Sequence, residues 1–375
     1  MQIPYICAKM ISMEVVSFIA KKQSPLKGKS VAWRSPSNIA LVKYWGKYAP
    51  QMPANPSLSF TLDTCNTKTT VTLRNRDTLK QSSLGDFSFD FSFEGAPKPD
   101  FHPKILSFFE RVAAYLPFLK QYHFSILSEN TFPHSSGIAS SASAMAALSL
   151  CLLELSGEFL DHSEAFKAKA SFLARLGSGS AARSIQGPLM QWGKTDSIPY
   201  SEDLIAIVFK ENIAVVFNSY QDTILLVDKG AKVVSSTLGH GLMENHPYAA
   251  ARFNQAHKQI AALSQALKTG DIDTFIYIVE QEALTLHAMM LTSSPYFILM
   301  KPATLAIIEK VWAYRAATKV PLCFTLDAGA NVHLLYPEKY KGEVLQFIEN
   351  ELVVYCENAQ YICDRVGAGS VSVSI

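Results

Sequence analysis

Two lysines and a tyrosine stand close together in the segment SNIALVKYWGK, at Lys43, Tyr44 and Lys47. The residues before them alternate as in a strand, with even-numbered positions from Asn38 on one face, so the three side chains lie where the strand gives way to a loop. Ammonium groups pair with phosphate as point charges, and a tyrosine hydroxyl adds a directional donor. This grouping could therefore hold a phosphorylated acid. The alternative is an edge strand whose lysines are only solvated.

A serine-rich segment, NTFPHSSGIASSASAMAAL, leads into a predicted Ala-rich helix over residues 142–155. The N-terminus of a helix carries a partial positive charge and free amides, which favour phosphate, although an ordinary serine N-cap is the alternative. The segment lacks the lysine of a GxxxxGK[ST] loop and the spacing of a dinucleotide fingerprint, which argues against both of those classes. The candidate phosphate-binding residues are Ser135, Ser136, Gly137, Ser140, Ser141 and Ser143.

A candidate anion-binding arginine lies in the segment ARLGSGSAARSIQGPLMQW. Residues 177–180 form a flexible Gly/Ser loop, and Arg183 then enters an otherwise apolar element. An arginine so placed can grip an oxyanion with two parallel hydrogen bonds. The alternative is an arginine that pairs with a surface carboxylate.

A single acid, Asp327, ends an apolar strand in CFTLDAGANVHLL. Its carboxylate should project from the strand end into any cleft between two lobes, and such positions often carry catalytic groups. The alternative is an aspartate that initiates a turn and caps the backbone after it.

A mixed α+β fold is predicted to position these residues. Alternation predicts a strand from residue 31, antiparallel hairpin strands within 67–93 and the strand-like PLMQW, and residues 193–203 are rich in turns. Before that passage, the other predicted elements are helices 103–114, 142–155 and 164–176 and strand 122–128. After it, the predicted strands are 205–209, 213–217, 323–327, 332–336 and 371–375, and the predicted helices are 248–267, 272–289, 303–318 and one from 341. The later elements are typical of an α+β lobe.

Composition limits the class of protein. The 375 residues are 49% hydrophobic, enough for two packed lobes, because single cores seldom exceed roughly 250 to 300 residues. The formal net charge of +2, without a long basic run, argues against a nucleic-acid-binding surface. The six cysteines include no CxxC pair, which fits a reducing cytoplasm. Lys9 and Glu14 interrupt the apolar start, and no run of about 18 apolar residues occurs, so we expect neither a signal peptide nor a spanning helix.

Together and in this order, the segments resemble the diphosphomevalonate decarboxylase family of the GHMP kinase superfamily. The family stretches NIAxxKYWGK, NxSLS, PxxxGLASSA, GSGSAxRS and DAGPN match here as NIALVKYWGK, NPSLS, PHSSGIASSAS, GSGSAARS and DAGAN. The first and fourth distinguish decarboxylases from the galactokinases, homoserine kinases and mevalonate kinases of the superfamily. Ala330 stands where the family usually has proline, residues 134–136 replace the common TAA, and Pro188 interrupts a glycine pair. None of these departures removes a charged group from the expected site.

The resemblance implies a GHMP kinase-type two-lobed α+β fold, with a ribosomal-protein-like N-terminal lobe, a ferredoxin-like C-terminal lobe and a cleft between them. It implies an N-terminal extension over residues 1–30, an N-terminal domain over 31–198 that holds the ATP-phosphate loop, and a C-terminal domain over 199–375. It also implies a homodimer, and from the composition we expect a cytoplasmic protein with no nucleic-acid or membrane partner.

The implied activity requires ATP and Mg²⁺ and converts (R)-5-diphosphomevalonate into isopentenyl diphosphate, ADP, phosphate and carbon dioxide. The tertiary C3 hydroxyl is a poor leaving group, so its phosphorylation comes first. The departing phosphate is then driven out by electrons from carboxylate loss. Nearby anionic oxygen could stabilise positive charge that develops at C3.

The resemblance also implies a role for each candidate residue. Asp327 would orient the C3 hydroxyl and could deprotonate it, and Arg183 with Asn38 would hold the substrate carboxylate. The candidates for catalysis are therefore Asp327, Arg183, Asn38 and Lys43. The substrate diphosphate would be gripped by Lys43, Tyr44 and Lys47. The ATP phosphates would be cradled by Ser140, Ser141 and Ser143, with Ser178 and Ser180 close to the substrate.

Histidines supply weaker signals. His287 matches a family position near the substrate domain, although a structural histidine in an apolar helix is the alternative. His240 and His246 around Glu244 suggest zinc superficially, but only His240 and Glu244 have i,i+4 spacing and Pro247 follows at once, so we expect no zinc there. The sequence does not assign direct metal ligands.

Other functions stay open at this point. One is a sister enzyme on the same scaffold, a mevalonate 3-kinase or a phosphomevalonate decarboxylase. Another is a nucleotide-binding module that has lost its chemistry. The intact Asp327, Arg183 and lysines favour the full decarboxylation.

Overall fold

Two lobes, each with helices packed on a sheet, form the fold. A computed structural model describes residues 18–20, 22–76, 85–133, 138–230 and 236–375. The strands in chain order are β1 (Ser30–Val42), β2 (Lys47–Tyr48), β3 (Met52–Pro53), β4 (Ser57–Asn75), β5 (Ser88–Phe93), β6 (Ala96–Pro97), β7 (Tyr122–Asn130), β8 (Leu189–Trp192), β9 (Ile207–Val208), β10 (Gln221–Leu225), β11 (Cys323–Thr325), β12 (Val332–Tyr336), β13 (Tyr361–Arg365) and β14 (Val371–Ser372). The α-helices are α1 (His102–Val112), α2 (Ser140–Leu155), α3 (Glu164–Gly177), α4 (Ser236–Gly241), α5 (Ala249–Thr269), α6 (Ile272–Leu291), α7 (Pro302–Thr318) and α8 (Lys341–Phe347).

The N-terminal lobe is built on a sheet of order β14-β1-β4-β7-β5-β6, with β8 and β9 attached to β4. Helix α2 packs on β1 and β4 because it is apolar on nearly every face, and 12 of its 16 residues are buried. Helices α1 and α3 cover the same core with a row of phenylalanines, including Phe108, Phe109 and Phe172. The start of α2 is therefore held firmly beside the sheet.

The C-terminal lobe carries an antiparallel sheet of order β11-β12-β10-β13. Helices α6 and α7 pack on β11, and a core around Ile307, Phe324 and Leu334 fills the space between them. None of the helices in the described part of the chain combines the length and the apolar character needed to span a bilayer.

A shared apolar core joins the two lobes. Ile39 and Phe60 from the N-terminal sheet pack in one cluster with Tyr220, Ile260 and Phe275 from the C-terminal lobe. The side chain of Phe275 is completely buried, and burial of one such side chain contributes about 1.5–3 kcal/mol to stability. The cleft between the lobes thus has a packed floor.

The pairing of β1 with β4 is irregular next to the lysine cluster. Its register shifts between Pro36 and Asn38 and again between Ala40 and Val42. Such bulges change the face on which the following side chains lie. The predicted strict alternation is therefore wrong at the end of β1, because Val42 joins the shared core while Lys43 lines the cavity with Asn38.

Several sequence predictions of elements are corrected. The predicted hairpin within 67–93 is wrong, because β4 pairs with β7 and β5 runs parallel to β7; α1 provides the crossover that a parallel pair requires. The predicted strand 213–217 is a loop and a 3₁₀ turn, Val215–Phe217, and strands β10 and β13 were not predicted. The predicted strand 371–375 does not complete the C-terminal lobe, because β14 pairs with β1.

Candidate active site

A cavity of about 680 Å³ opens between the two lobes. Its polar lining comes from both lobes and includes Asn38, Lys43, Arg183 and Asp327. Its apolar lining comes from β5, β7 and α1 and from the residue before α1, and includes Phe91, Phe93, Phe101, Ile105 and Ile126. The cavity therefore offers both charged and flat apolar surfaces to a ligand.

Lys43 and Asp327 meet across this cavity. The Nζ atom of Lys43 lies 3.0 Å from Oδ1 of Asp327, and the lysine side chain is almost completely buried while a quarter of the aspartate side chain is exposed. Burial lowers the pKa of Lys43, and the nearby Asp327 carboxylate opposes that shift. The exposed part of the carboxylate can accept a proton or a hydrogen bond from a ligand.

The main chain of Lys43 is held by a buried ion pair of the C-terminal lobe. Glu282 on α6 accepts a hydrogen bond from the amide of Lys43 at 2.8 Å, and Arg252 on α5 donates to the carbonyl oxygen of Lys43 at 3.0 Å. Arg252 and Glu282 also bond to each other through both carboxylate oxygens, and neither side chain is exposed. Asn55 donates to the same carbonyl at 2.9 Å. These contacts fix the backbone from which the Lys43 side chain extends.

Arg183 and Asn38 form a second buried polar group. Nε of Arg183 donates to Oδ1 of Asn38 at 3.3 Å, and its Nη1 donates to the hydroxyl of Ser57. Asn38 in turn donates to the hydroxyl of Ser184 at 2.8 Å. Burial lowers the pKa of Arg183 to about 10, so the guanidinium remains charged at neutral pH. The group presents a fixed positive charge to the cavity.

Tyr44 lies on the loop after β1, and Lys47 begins the next strand, β2. The ring of Tyr44 packs against Trp192 with ring centroids 4.7 Å apart, and its hydroxyl is buried with no partner in the described part of the chain. Burial raises the pKa of Tyr44, so the hydroxyl stays a neutral donor. Lys47 is tied to Gln51 by a 2.8 Å hydrogen bond. A buried hydroxyl without a partner is uncommon in proteins, which makes Tyr44 a candidate for a ligand contact.

The predicted serines fall into three groups. Ser140, Ser141, Ser178 and Ser180 line the cavity, and the hydroxyls of Ser141 and Ser178 lie 3.4 Å apart. Ser143 is completely buried and bonds to Thr67 at 2.6 Å, so it is placed away from the cavity. The remaining predictions, Ser135, Ser136 and Gly137, lie outside the described residues.

His287 on α6 contacts the backbone of Asp327. Its Nε2 lies 3.2 Å from the carbonyl oxygen of Asp327. Burial lowers the pKa of His287 to about 4, so the ring is neutral and can donate to that carbonyl. The contact favours a structural histidine that holds the backbone of Asp327.

Family models match both lobes. Residues 35–206 match a model described as diphosphomevalonate decarboxylase-like N-terminal domain, and residues 223–370 match the mevalonate 5-diphosphate decarboxylase C-terminal domain. The diphosphomevalonate decarboxylase of Ganoderma lucidum is 30% identical over 346 residues, which cover 89% of this chain and 84% of that protein. The chain belongs to the diphosphomevalonate decarboxylase family.

Solved structures of diphosphomevalonate decarboxylases have the same fold. One, described as showing the mevalonate diphosphate mediated ATP binding mechanism of the enzyme from Enterococcus faecalis, is 29% identical with a TM-score of 0.76, over 92% of this chain and 99% of that chain. Another, described as "MDDEF in complex with MVAPP, AMPPCP and Magnesium", is 30% identical with a TM-score of 0.77 over the same shares. These matches confirm the GHMP kinase-type α+β fold.

Sequence reasoning missed part of this decarboxylase-family site. Asn55 and Ser57 stand in the NPSLS stretch, but their contacts to Lys43 and Arg183 were not foreseen. Arg252 and Glu282 were also missed. A signal was present for Glu282, because an acid inside the apolar run of α6 must find a partner if the run is buried.

Proposed function

We propose that this protein catalyses the ATP-dependent decarboxylation of (R)-5-diphosphomevalonate to isopentenyl diphosphate, through phosphorylation of the C3 hydroxyl. The observation that carries the proposal is the pairing of Asp327 with Lys43 at the wall of a cavity between the lobes. A carboxylate that is partly exposed and has a buried ammonium beside it is suited to orient a hydroxyl and to take its proton.

Arg183 supports the binding of the substrate carboxylate. Its buried guanidinium is oriented by Asn38 and Ser57, so little freedom is lost when an anion binds. Loss of carbon dioxide supplies the electrons that expel the C3 phosphate. Positive charge develops at C3 in that step, and an anionic oxygen close to C3 stabilises it.

Lys47 and the Tyr44 hydroxyl support binding of the substrate diphosphate. Both line the same cavity as Lys43, and the Tyr44 hydroxyl lacks a partner within the described residues. Such a set distinguishes a diphosphate from a neutral alcohol, because each phosphoryl oxygen gains a charged or directional donor.

The remaining part of the cavity fits ATP. Ser140 and Ser141 lie at the N-terminus of α2, where backbone amides and the helix dipole favour phosphate. The aromatic lining around Phe91 and Phe101 offers a flat apolar surface to a base. The structure described with MVAPP, AMPPCP and magnesium supports the use of a nucleotide triphosphate here.

Magnesium fits this site as a companion of the nucleotide. Among the described residues no three His, Cys, Asp or Glu side chains converge as a metal site, whereas Mg²⁺ commonly binds through phosphates, waters and one or two protein oxygens. The oxygen donors that line the cavity include the hydroxyls of Ser141 and Ser178 and the carboxylate of Asp327. When bound, the ion supplies positive charge to the transferring phosphoryl group.

Quaternary structure, location and domain division are further parts of the proposal. The family resemblance supports a homodimer in the cytoplasm, with domains over residues 31–198 and 199–375 after an extension over 1–30. Light scattering on purified protein tests the dimer.

A coupled assay tests the reaction. Purified protein is given ATP, magnesium and (R)-5-diphosphomevalonate, and ADP and carbon dioxide are followed together, with mevalonate 5-phosphate as a parallel substrate. We expect equal yields of ADP and carbon dioxide with the diphosphate and their loss in Asp327→Ala. ADP without carbon dioxide would indicate a 3-kinase, and turnover of the monophosphate alone would indicate the sister decarboxylase. Binding of ATP without turnover of either substrate would indicate a nucleotide-binding module.

A further inference from the structure

His240 reaches the cavity from α4 and packs on the loop after β1. Its ring lies against Tyr44 and Trp45, with ring centroids 4.3 and 4.7 Å apart. Its Nδ1 accepts the backbone amide proton of Gly46 at 3.0 Å. The residue before it, Gly239, sits so close to Trp45 that an added Cβ would come within 2.6 Å of the indole. The ring contacts, the hydrogen bond to Gly46 and the close packing of Gly239 together fix the position of His240.

The contact with Gly46 fixes the tautomer of the His240 ring. Because Nδ1 accepts a hydrogen bond from the amide of Gly46, the proton of the neutral ring must lie on Nε2. Burial, together with the smaller effect of the positive charges of Lys47 and Arg183, lowers the pKa of His240 to about 3, so the ring is neutral at physiological pH. Nε2 is therefore a neutral hydrogen-bond donor.

The surroundings of His240 favour an anion. The residue lines the cavity, and no described protein atom accepts a hydrogen bond from its Nε2. The charged groups that act on the ring are both cations, Lys47 and Arg183. A donor without a protein acceptor, close to two positive charges, indicates an anionic oxygen as its partner.

We propose that His240 is a substrate-binding residue, whose Nε2 donates a hydrogen bond to a phosphoryl oxygen of the substrate diphosphate while its Nδ1 holds the loop of Tyr44 and Gly46. This inference rests on the proposed function. The substrate is favoured over ATP as the source of that oxygen, because His240 contacts the Tyr44 loop, whereas the candidate nucleotide serines lie at the start of α2.

Three variants distinguish the acceptor role of Nδ1 from the donor role of Nε2 in His240. Asparagine places its oxygen near the position of Nδ1 and keeps an acceptor for Gly46 but loses the distal donor. Glutamine places its amide near Nε2 and keeps the donor, and methionine removes both functions. His257→Gln is the matched control, since His257 is exposed on α5 and is absent from the cavity lining.

The variants are compared in steady-state kinetics and by calorimetry with isopentenyl diphosphate. We expect His240→Asn and His240→Met to raise KM for (R)-5-diphosphomevalonate on the order of 10-fold or more, since a hydrogen bond to a charged group is lost. The binding of isopentenyl diphosphate should weaken by a similar factor. KM for ATP should change less than about twofold. A change of that size is less than about one third of the free-energy difference that a tenfold change in affinity represents. His240→Gln should lie between these variants and the wild type, and His257→Gln should match the wild type.

Opposite results would overturn the inference. Equal losses in the Asn and Gln variants, or a larger loss for Gln, would mean that His240 only holds the loop. A rise in KM confined to ATP would assign its partner to the nucleotide. If the wild type binds isopentenyl diphosphate but turns over no substrate, the proposed function fails while the calorimetry still tests His240. A wild type that binds no diphosphate would overturn the inference as well.

Discussion

Lys43 of the N-terminal lobe and Asp327 of the C-terminal lobe are joined by a 3.0 Å ion pair across the cavity between the lobes. The backbone of Lys43 is held by Glu282 and Arg252, and that of Asp327 is contacted by His287. The geometry of the pair therefore depends on both lobes. A change in either supporting network alters the relative position of the acid and the ammonium.

Replacement of the Asp327 carboxylate should impair turnover far more than binding. In Asp327→Asn the side chain keeps its size but cannot take a proton from the C3 hydroxyl. We expect kcat to fall by about 10²- to 10⁴-fold, which is the usual contribution of a positioned acid or base, while KM stays within about threefold. Steady-state kinetics measures both. A similar change in KM with normal kcat would assign Asp327 to substrate binding.

The pH dependence of kcat/KM should report Lys43. Burial lowers its pKa below the ordinary lysine value of 10.5, so the ammonium loses its proton at a lower pH than an exposed lysine does. We therefore expect kcat/KM to fall with rising pH, and the fall should begin below the pH at which an exposed lysine loses its proton. In Lys43→Arg the guanidinium stays charged, and the alkaline fall should move to higher pH even if absolute activity is lower. An alkaline limb that is the same in both proteins would contradict this role.

The buried pair of Arg252 and Glu282 can be tested by a double-mutant cycle. Either single change, Arg252→Met or Glu282→Leu, leaves an uncompensated buried charge and should lower the free energy of unfolding by about 3–5 kcal/mol. The double variant should recover much of that stability. The kcat of the double variant should nevertheless be lower than that of the wild type, because the amide of Lys43 has lost its acceptor. Denaturant unfolding and kinetics on all four proteins separate the two effects, and a fully active double variant would show that the pair serves folding only.

Close packing at Gly179 should control the position of Tyr44. An added Cβ would lie 2.7 Å from the Tyr44 hydroxyl oxygen and 2.9 Å from Trp192, so Gly179→Ala forces the phenol away. We expect a loss of about 1–3 kcal/mol in the free energy of unfolding and a higher KM for the diphosphate substrate. Gly241→Ala is the control, because nothing lies within 4 Å of its added Cβ. It should be neutral or stabilising by up to about 1 kcal/mol, with unchanged KM.

The sequence predicted elements best where periodicity was long and unbroken. The helix predicted over 272–289 is observed as Ile272–Leu291, and the strand 332–336 has its predicted bounds. Strand β10 was missed because polar residues occupy a fully buried strand. Asp222 is paired there with His333 at 2.8 Å, and Thr223 bonds to Tyr336 at 2.7 Å. Such partners come from other strands, so no local pattern reveals them.

The site was predictable to the extent that its residues stand in short motifs. Lys43, Arg183 and Asp327 were selected from such motifs, and the structure brings all three to one cavity. Arg252 and Glu282 could not be assigned, because their role arises from contacts with the backbone of Lys43, far away in the chain. The inward turn of Lys43 likewise depends on a register shift against β4, which only the pairing of the two strands creates.

Strand β14 has a consequence for biosynthesis. It pairs with β1 through Trp33 and Ser372, so the first long strand acquires its edge partner only after the residues of the C-terminal lobe have been added. During synthesis on the ribosome, this edge of β1 therefore remains unpaired until β14 has emerged. Contacts of such large sequence separation slow folding, and an open strand edge invites association with other nascent chains. The span of the N-terminal family match, residues 35–206, contains neither Trp33 and Arg34 of β1 nor β14, so this strand pairing lies wholly outside that span.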